Sequence, residues 1–195
     1  MEKDYYVTND DLELWEKLRQ GNQKAFSALF VLFYDDLYAY SLKFTKEEEL
    51  SKDIIQELFF NLWLSYPKLK QVEILKPYLL RCTKNLIIDY RRKLSTQQKH
   101  NLNLVQDEIV FSQEDFRINL EAESAQTEKL LSILNTLPDR VREAIYLHFF
   151  NGLSYTEIAV VMDINVQTAR NFVHRGIHQM KDFYLLFLLI VICKF

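Results

Sequence analysis

Residues 136–181 read TLPDRVREAIYLHFFNGLSYTEIAVVMDINVQTARNFVHRGIHQMK, and this stretch decides the fold. It divides into a helix, a turn, a short helix, a tight turn and a longer helix. Ser154 stands where a cap is needed for a helix over 154–162, with Glu157 three residues on in the capping-box position. Asn165 is placed to cap the next helix, 165–182. In that last helix Ala169, Val173, Ile177 and Met180 recur at helical spacing and form a buried stripe. Ile158, Ala159 and Met162 face it from the short helix, Ala159 being small enough for a close crossing, and Ile164 plugs the turn. The other side of the last helix carries Gln167, Thr168, Arg170, Asn171, His174 and Arg175, with no acid up to Lys181. This is the layout of a helix-turn-helix whose second helix approaches base edges with its first turns. Arginine suits guanine and asparagine suits adenine, while Arg175 and Lys181 are better placed for phosphates. An ordinary helical hairpin with a solvated basic face shares part of the pattern, but not the agreement of caps, stripe and face.

Upstream, helices are predicted over 125–135 and 138–150, the second with Val141, Ile145, Tyr146, Phe149 and Phe150 on its apolar face and Asn151-Gly152 at its end. The N-terminal part gives four more. Residues 11–20 hold Leu12, Trp15 and Leu18 at helical spacing and stop at Gly21-Asn22. Residues 24–44 are strongly apolar. Thr45 with Glu48 suggests a capping box for a helix over 46–64, which ends before Pro67. Pro77 suits the first turn of a helix over 77–93.

The chain is thus expected to be all-α, with two small helical domains joined by a linker and a helix-turn-helix in the C-terminal one. The expected divisions are 1–95, a linker over 96–124, 125–182 and an apolar tail over 183–195. Composition agrees: of 195 residues, 49% are hydrophobic and only three are glycine, which favours long helices over tight hairpins.

The formal net charge of -3 argues weakly against a wholly basic nucleic-acid binder, but the distribution is uneven. Residues 81–100 hold Arg81, Lys84, Arg91, Arg92, Lys93 and Lys99 against Asp89 alone. Residues 105–128 hold seven acids against Arg117. That acidic, flexible connector covers a DNA-binding surface in the free protein, touches a basic partner, or is simply a solvated linker. Within the basic block Arg81, Asn85, Asp89 and Arg92 share a helix face, beside Lys84 and Arg91. Such a face suits DNA in a groove or a melted strand, and it also suits a plain charged helix end. The helix SKDIIQELFFNLW, 51–63, is apolar over more than one seam, so part of it is core and part is free to dock a partner beside Gln56 and Glu57.

Enzyme signatures do not appear. His100, His148, His174 and His178 show no metal-ligand pattern, and no nucleophile motif or glycine-rich phosphate loop is found. No metal or other cofactor is expected. Cys82 and Cys193 form no motif. The start, MEKDYYVTNDD, lacks signal-peptide character, and a cytoplasmic protein is the expectation.

Taken together, DIIQELF, NLIIDYRR, LPDRVREAI and GLSYTEIA make the chain resemble the extracytoplasmic-function group of the sigma-70 family of RNA polymerase sigma factors. The likeness covers about 25–95 (region 2) and 130–181 (region 4). It implies that Asp53, Gln56, Glu57 and Phe59 dock a coiled coil of the polymerase β′ subunit. It implies that Asn85, Asp89, Arg91 and Arg92 recognise and help open the -10 element, and Arg81 and Lys84, on or beside the same polar face, are expected to bind DNA with them. The loop 65–76 matches the segment that helps hold a flipped base, and the last helix matches the reader of the -35 element. Core polymerase, through its β′ coiled coil and β flap, and promoter DNA are the implied partners, with an anti-sigma factor as a further one. Departures are modest: Ser51-Lys52-Asp53 stands where Ala-Glu-Asp is common, and Ala169 where valine is common. The alternative is a conventional helix-turn-helix regulator that does not bind core polymerase. The tail FYLLFLLIVIC, 183–193, is short of the ~20 residues that cross a bilayer. It either extends the last helix, forms part of a surface covered by an anti-sigma factor, or rests on a membrane.

Overall fold

In the N-terminal unit, Trp15 and Leu18 fall on one side of α1 (Asn9–Arg19) and are almost wholly buried. The computed structural model describes residues 9–97, 109–112 and 125–181. All regular elements among them are helical and form two units, each with its own core. The apolar tail and most of the expected linker lie outside the described residues.

Gly21 closes α1 in the left-handed region at φ 81°. A Cβ there would come within 3.0 Å of the Tyr66 ring. Asn22 then caps α2 (Gln23–Thr45), its side chain accepting from the Ala25 N–H at 3.1 Å. Along α2, Leu29, Phe33, Leu37, Tyr40 and Phe44 repeat every three or four residues and are buried. They meet Ile54, Ile55, Leu58 and Leu62 of α3 (Glu48–Leu64) and Leu79, Leu80 and Ile87 of α4 (Leu75–Gln97).

Two expectations are corrected here. Thr45 does not cap α3. Lys46 takes a left-handed conformation at φ 58°, which puts one more residue between the helices. The N-cap is therefore Glu47, without a side-chain cap bond, and Glu48 is the first helical residue rather than the third. Thr45 Oγ1 instead lies 2.6 Å from Ser51 Oγ. Second, α4 begins at Leu75 although a residue before proline disfavours the helical region. Lys76 is held there by burial and an ion pair with Asp36 at 2.8 Å. Pro77 stays in the first turn, where its missing N–H costs nothing.

The C-terminal unit holds α5 (Ala125–Thr136), α6 (Asp139–Phe149), α7 (Tyr155–Met162) and α8 (Val166–Gln179). The Ser154–Glu157 capping box forms at both ends, and Asn165 caps α8 by accepting from the Thr168 N–H at 2.7 Å. Ala169, Val173 and Met180 are buried as read from the sequence, but Ile177 is only half-buried and Gly176 takes its place against α6. A Cβ on Gly176 would sit 2.6 Å from Ile145 Cγ1. The helices therefore cross at the glycine more closely than any other residue permits.

α6 is more buried than its apolar positions suggest. Arg142 and Glu143 are both inside. Arg142 donates to the Asn135 carbonyl at 3.2 Å and to the Asp139 carboxylate, so its charge is compensated. Residues 109–112, expected to be part of the linker, belong to this core. Ile109 and Phe111 are buried, and the Phe111 ring packs beside Tyr146 and Phe150.

No helix among the described residues is long and apolar enough to cross a membrane.

Candidate nucleic-acid interface

The outer face of α8 is set by its two fixed ends. The Asn165 cap fixes the first turn, and the Gly176 crossing fixes the roll of the helix on α6. Gln167, Arg170, Asn171, His174 and Arg175 are then exposed, with Thr168 half-buried beneath them. Gln167 Nε2 donates to Asn171 Oδ1 at 3.0 Å, one helical turn away. That bond orients the Asn171 amide toward solvent in a defined way, with its NH2 group left to donate. Basic groups, amides and an imidazole thus gather on an acid-free strip about three turns long. The strip can donate to base acceptors and to phosphate oxygens.

Two residues beside this strip gave no clear signal in the sequence. The Arg170 guanidinium lies 5.5 Å from the Tyr155 ring centroid, and the His174 ring meets the same tyrosine edge-on at 6.2 Å. His148 stacks on Tyr155 at 5.2 Å, and its Nδ1 lies 2.7 Å from the Leu153 carbonyl oxygen. The exposed strip of α8 is therefore buttressed by an aromatic pair from α6 and α7.

In the N-terminal unit the basic helix divides its charges. Asn85, Asp89 and Arg92 are exposed together, with Arg81 half-exposed one turn before them. Asp89 and Arg92 form an ion pair at 3.4 Å, both well solvated. Lys84 and Arg91 turn inward. Lys84 is buried, and Arg91 Nη2 donates to the Phe44 carbonyl at the end of α2 at 2.7 Å. The loop after α3 is tied to α1: Trp15 Nε1 donates to the Lys70 carbonyl at 3.1 Å and Arg19 Nε to the Leu69 carbonyl at 2.8 Å. Those two bonds fix a segment with little secondary structure of its own. They also assign α1 a role that its apolar spacing alone does not reveal.

On α3, Asp53, Gln56 and Glu57 are exposed, whereas Phe59 is buried. Its ring packs between Phe26 and Phe30 of α2, with centroids 6.0 and 4.9 Å away. Phe59 is thus the floor of a groove of about 340 Å³ between α2 and α3, whose rim includes Gln56, Phe60 and Trp63. Phe60 is 58% exposed there. No cluster of three His, Cys, Asp or Glu able to hold a metal occurs among the described residues.

Both units of the chain match known protein families. The profile described as Sigma-70 region 2 matches residues 29–97, and that described as Sigma-70, region 4 matches residues 127–180. The chain is similar to the ECF RNA polymerase sigma factor SigM of Bacillus subtilis (strain 168), with 24% identity over 157 residues, or 80% of this chain and 93% of the relative. It is also similar to the ECF RNA polymerase sigma factor SigW of the same organism, with 26% identity over 171 residues, or 83% and 89% of the two chains. Among solved structures, CnrH in complex with the cytosolic domain of CnrY shares the fold at a TM-score of 0.60 and 20% identity, over 88% of this chain and 95% of that one. The sigma factor RpoE in complex with the anti-sigma factor NepR, from Bartonella quintana, does so at 0.60 and 19%, over 82% and 96%.

Proposed function

The chain belongs to the extracytoplasmic-function group of the sigma-70 family, and from that premise we propose how its two units divide the work of directing RNA polymerase to promoters. Catalysis belongs to the polymerase. The N-terminal unit binds the core enzyme through α3, with Asp53, Gln56 and Glu57 as polar contacts and Phe59 shaping the groove beside them. The exposed strip of α4, Asn85, Asp89 and Arg92 with Arg81, meets the -10 element. Lys84 and Arg91 support that helix from within. The C-terminal unit reads the -35 element with Gln167, Thr168, Arg170, Asn171 and His174, while Arg175 holds phosphate.

The observation that carries this reading is the acid-free, capped and exposed face of α8. Arg170 and Asn171 are the residue types that grip guanine and adenine, and Gln167 fixes the amide of Asn171. Binding is expected to weaken steeply with salt as phosphate contacts release counterions. The protein works in the cytoplasm, where polymerase and promoters are. An anti-sigma factor is proposed as a further partner, because both solved structures named above are complexes, one of them with an anti-sigma factor.

Titration of core RNA polymerase with the unsubstituted chain and with a Gln56→Ala, Glu57→Ala double variant tests the docking half. The variant is expected to bind at least about tenfold more weakly, the size of one or two lost interface contacts. Unchanged affinity contradicts it. For the reading half, Arg170→Ala is expected to lose discrimination between -35 bases by roughly 1–3 kcal/mol. An equal loss on all sequences contradicts a base-reading role.

A further inference from the structure

We infer that Tyr155 is a positioning residue for promoter recognition, its ring holding the Arg170 guanidinium and the His174 imidazole in the orientation in which they meet base edges. This rests on the reading of α8 as the -35 helix.

The geometry forms a chain of contacts that begins at half-buried His148. His148 is fixed by its contact to the Leu153 carbonyl at 2.7 Å and by an edge-on contact with Phe149. Its ring stacks on Tyr155 with only 25° between the planes. Tyr155 is the first residue of α7, and the reciprocal Ser154–Glu157 cap pins its backbone. The ring is therefore stacked on His148, and the cap fixes the backbone that carries it. The same ring meets Arg170 at 5.5 Å and His174 at 6.2 Å, which are one turn apart on α8.

An exposed arginine loses considerable rotamer freedom when it grips a base. No acid on α8 is present to hold it. A fixed aromatic ring does so without neutralising the charge that DNA needs, because a guanidinium over a ring keeps its N–H fork free. Tyr155 is thus a specificity device at one remove from the DNA, and the ring rather than the hydroxyl carries the effect.

The full chain, assembled with core RNA polymerase, would be titrated on a promoter duplex taken from its own mapped start sites, with single -35 base substitutions and a constant -10 element. Tyr155→Leu is expected to lower affinity for the intact -35 element about 2- to 5-fold, the size of an exposed cation–π contact, with little change on the substituted duplexes. Tyr155→Phe is expected to match the unsubstituted chain. In an Arg170→Ala, His174→Ala background Tyr155→Leu is expected to have no further effect. Equal losses in both backgrounds, or a Tyr155→Phe variant as weak as Tyr155→Leu, overturn the inference. The second result would make the hydroxyl a direct DNA contact.

One readout needs no substitution that threatens folding. In the NMR spectrum of the unsubstituted free chain, the Arg170 Cδ protons are expected to be shifted upfield by the Tyr155 ring current. Shifts at free-arginine positions contradict the contact. Failure of the -35 reading itself looks different: Arg170→Ala would then leave base preference unchanged.

Discussion

The side chain of Asn135 holds the backbone of Phe111 at both of its polar groups, accepting from the N–H and donating to the carbonyl, each at 2.9 Å. One amide thereby satisfies two buried backbone groups in the way a paired strand would. It also fastens residues expected to be linker onto the C-terminal core, with Phe111 2% exposed.

Asn135→Ala is accordingly expected to lower the stability of the C-terminal unit by about 1–3 kcal/mol, because both Phe111 groups lose their partner. Asn135→Asp keeps the acceptor and loses the donor, and is expected to be destabilised as well. Urea unfolding of the full chain measures both. An Asn135→Ala midpoint equal to that of the unsubstituted chain contradicts the clasp.

Gly176 and Ile145 make the crossing of α8 on α6. Alanine at 176 gains up to ~1 kcal/mol of helix propensity, but its Cβ meets Ile145 at 2.6 Å. Overpacking of this kind costs about 1–3 kcal/mol. Gly176→Ala is expected to be net destabilising, and Ile145→Val to reduce its penalty by removing the Cδ1 contact. A stabilised Gly176→Ala variant in thermal unfolding would show that the crossing is looser than described.

Arg91 and Arg92 are neighbours with different work. Arg91 donates to the Phe44 carbonyl and lies 6.0 Å from the Phe44 ring centroid, whereas Arg92 is exposed and paired only loosely with Asp89. Arg91→Ala is expected to cost about 1.5–3 kcal/mol of stability, the value of a hydrogen bond from a charged donor. Arg92→Ala is expected to leave stability within about 0.5 kcal/mol and to slow promoter opening. Urea unfolding and 2-aminopurine fluorescence at the -10 element separate the two. Equal stability losses contradict the assignment.

Tyr78 and Cys82 are one turn apart on α4 and partly enclosed. Burial, followed by the contact with Cys82, pushes the Tyr78 phenol up from 10.0 to about 12, and burial pushes the Cys82 thiol up as well. Both groups are thus favoured in the folded state in their neutral forms. Their contribution to stability is present below the unfolded values, near 9.0 for the thiol and 10.0 for the phenol, and is lost as pH rises through the folded ones. The urea midpoint is expected to fall from pH 9 toward pH 12, and less so in Tyr78→Phe. In a Cys193→Ser background, Cys82 is expected to react with iodoacetamide more slowly in the folded chain than in urea. Identical rates contradict its enclosure.

The features legible in the sequence are those fixed within a few residues. The Ser154–Glu157 box and the Asn165 cap form as read because each joins atoms three residues apart. The buried stripe of α8 holds at Ala169, Val173 and Met180 for the same reason of periodicity. What escaped notice depends on partners distant in sequence. Asn135 clasps a segment 24 residues away, and Trp15 reaches Lys70 across 55. Helical spacing gives the face of a helix but not the point at which a neighbour crosses it, so it points to Ile177 where Gly176 makes the contact. Charge alone does not distinguish Arg91, turned onto Phe44, from Arg92, exposed and paired with Asp89. The buried Arg142 and Glu143 were hidden because a charged residue reads as solvated until its partners are known. Thr45 failed as a cap because the left-handed turn at Lys46 shifted the helix start by two residues.

Whether α8 and α4 deliver promoter specificity to the polymerase is decided by transcription of genomic DNA in vitro with core RNA polymerase from the host and this chain added. New start sites that share a -35 and a -10 element at constant spacing are expected, with Arg170→Ala relaxing the -35 element alone. A folded chain that neither binds core polymerase nor creates start sites, with the apolar tail present or removed, would contradict it.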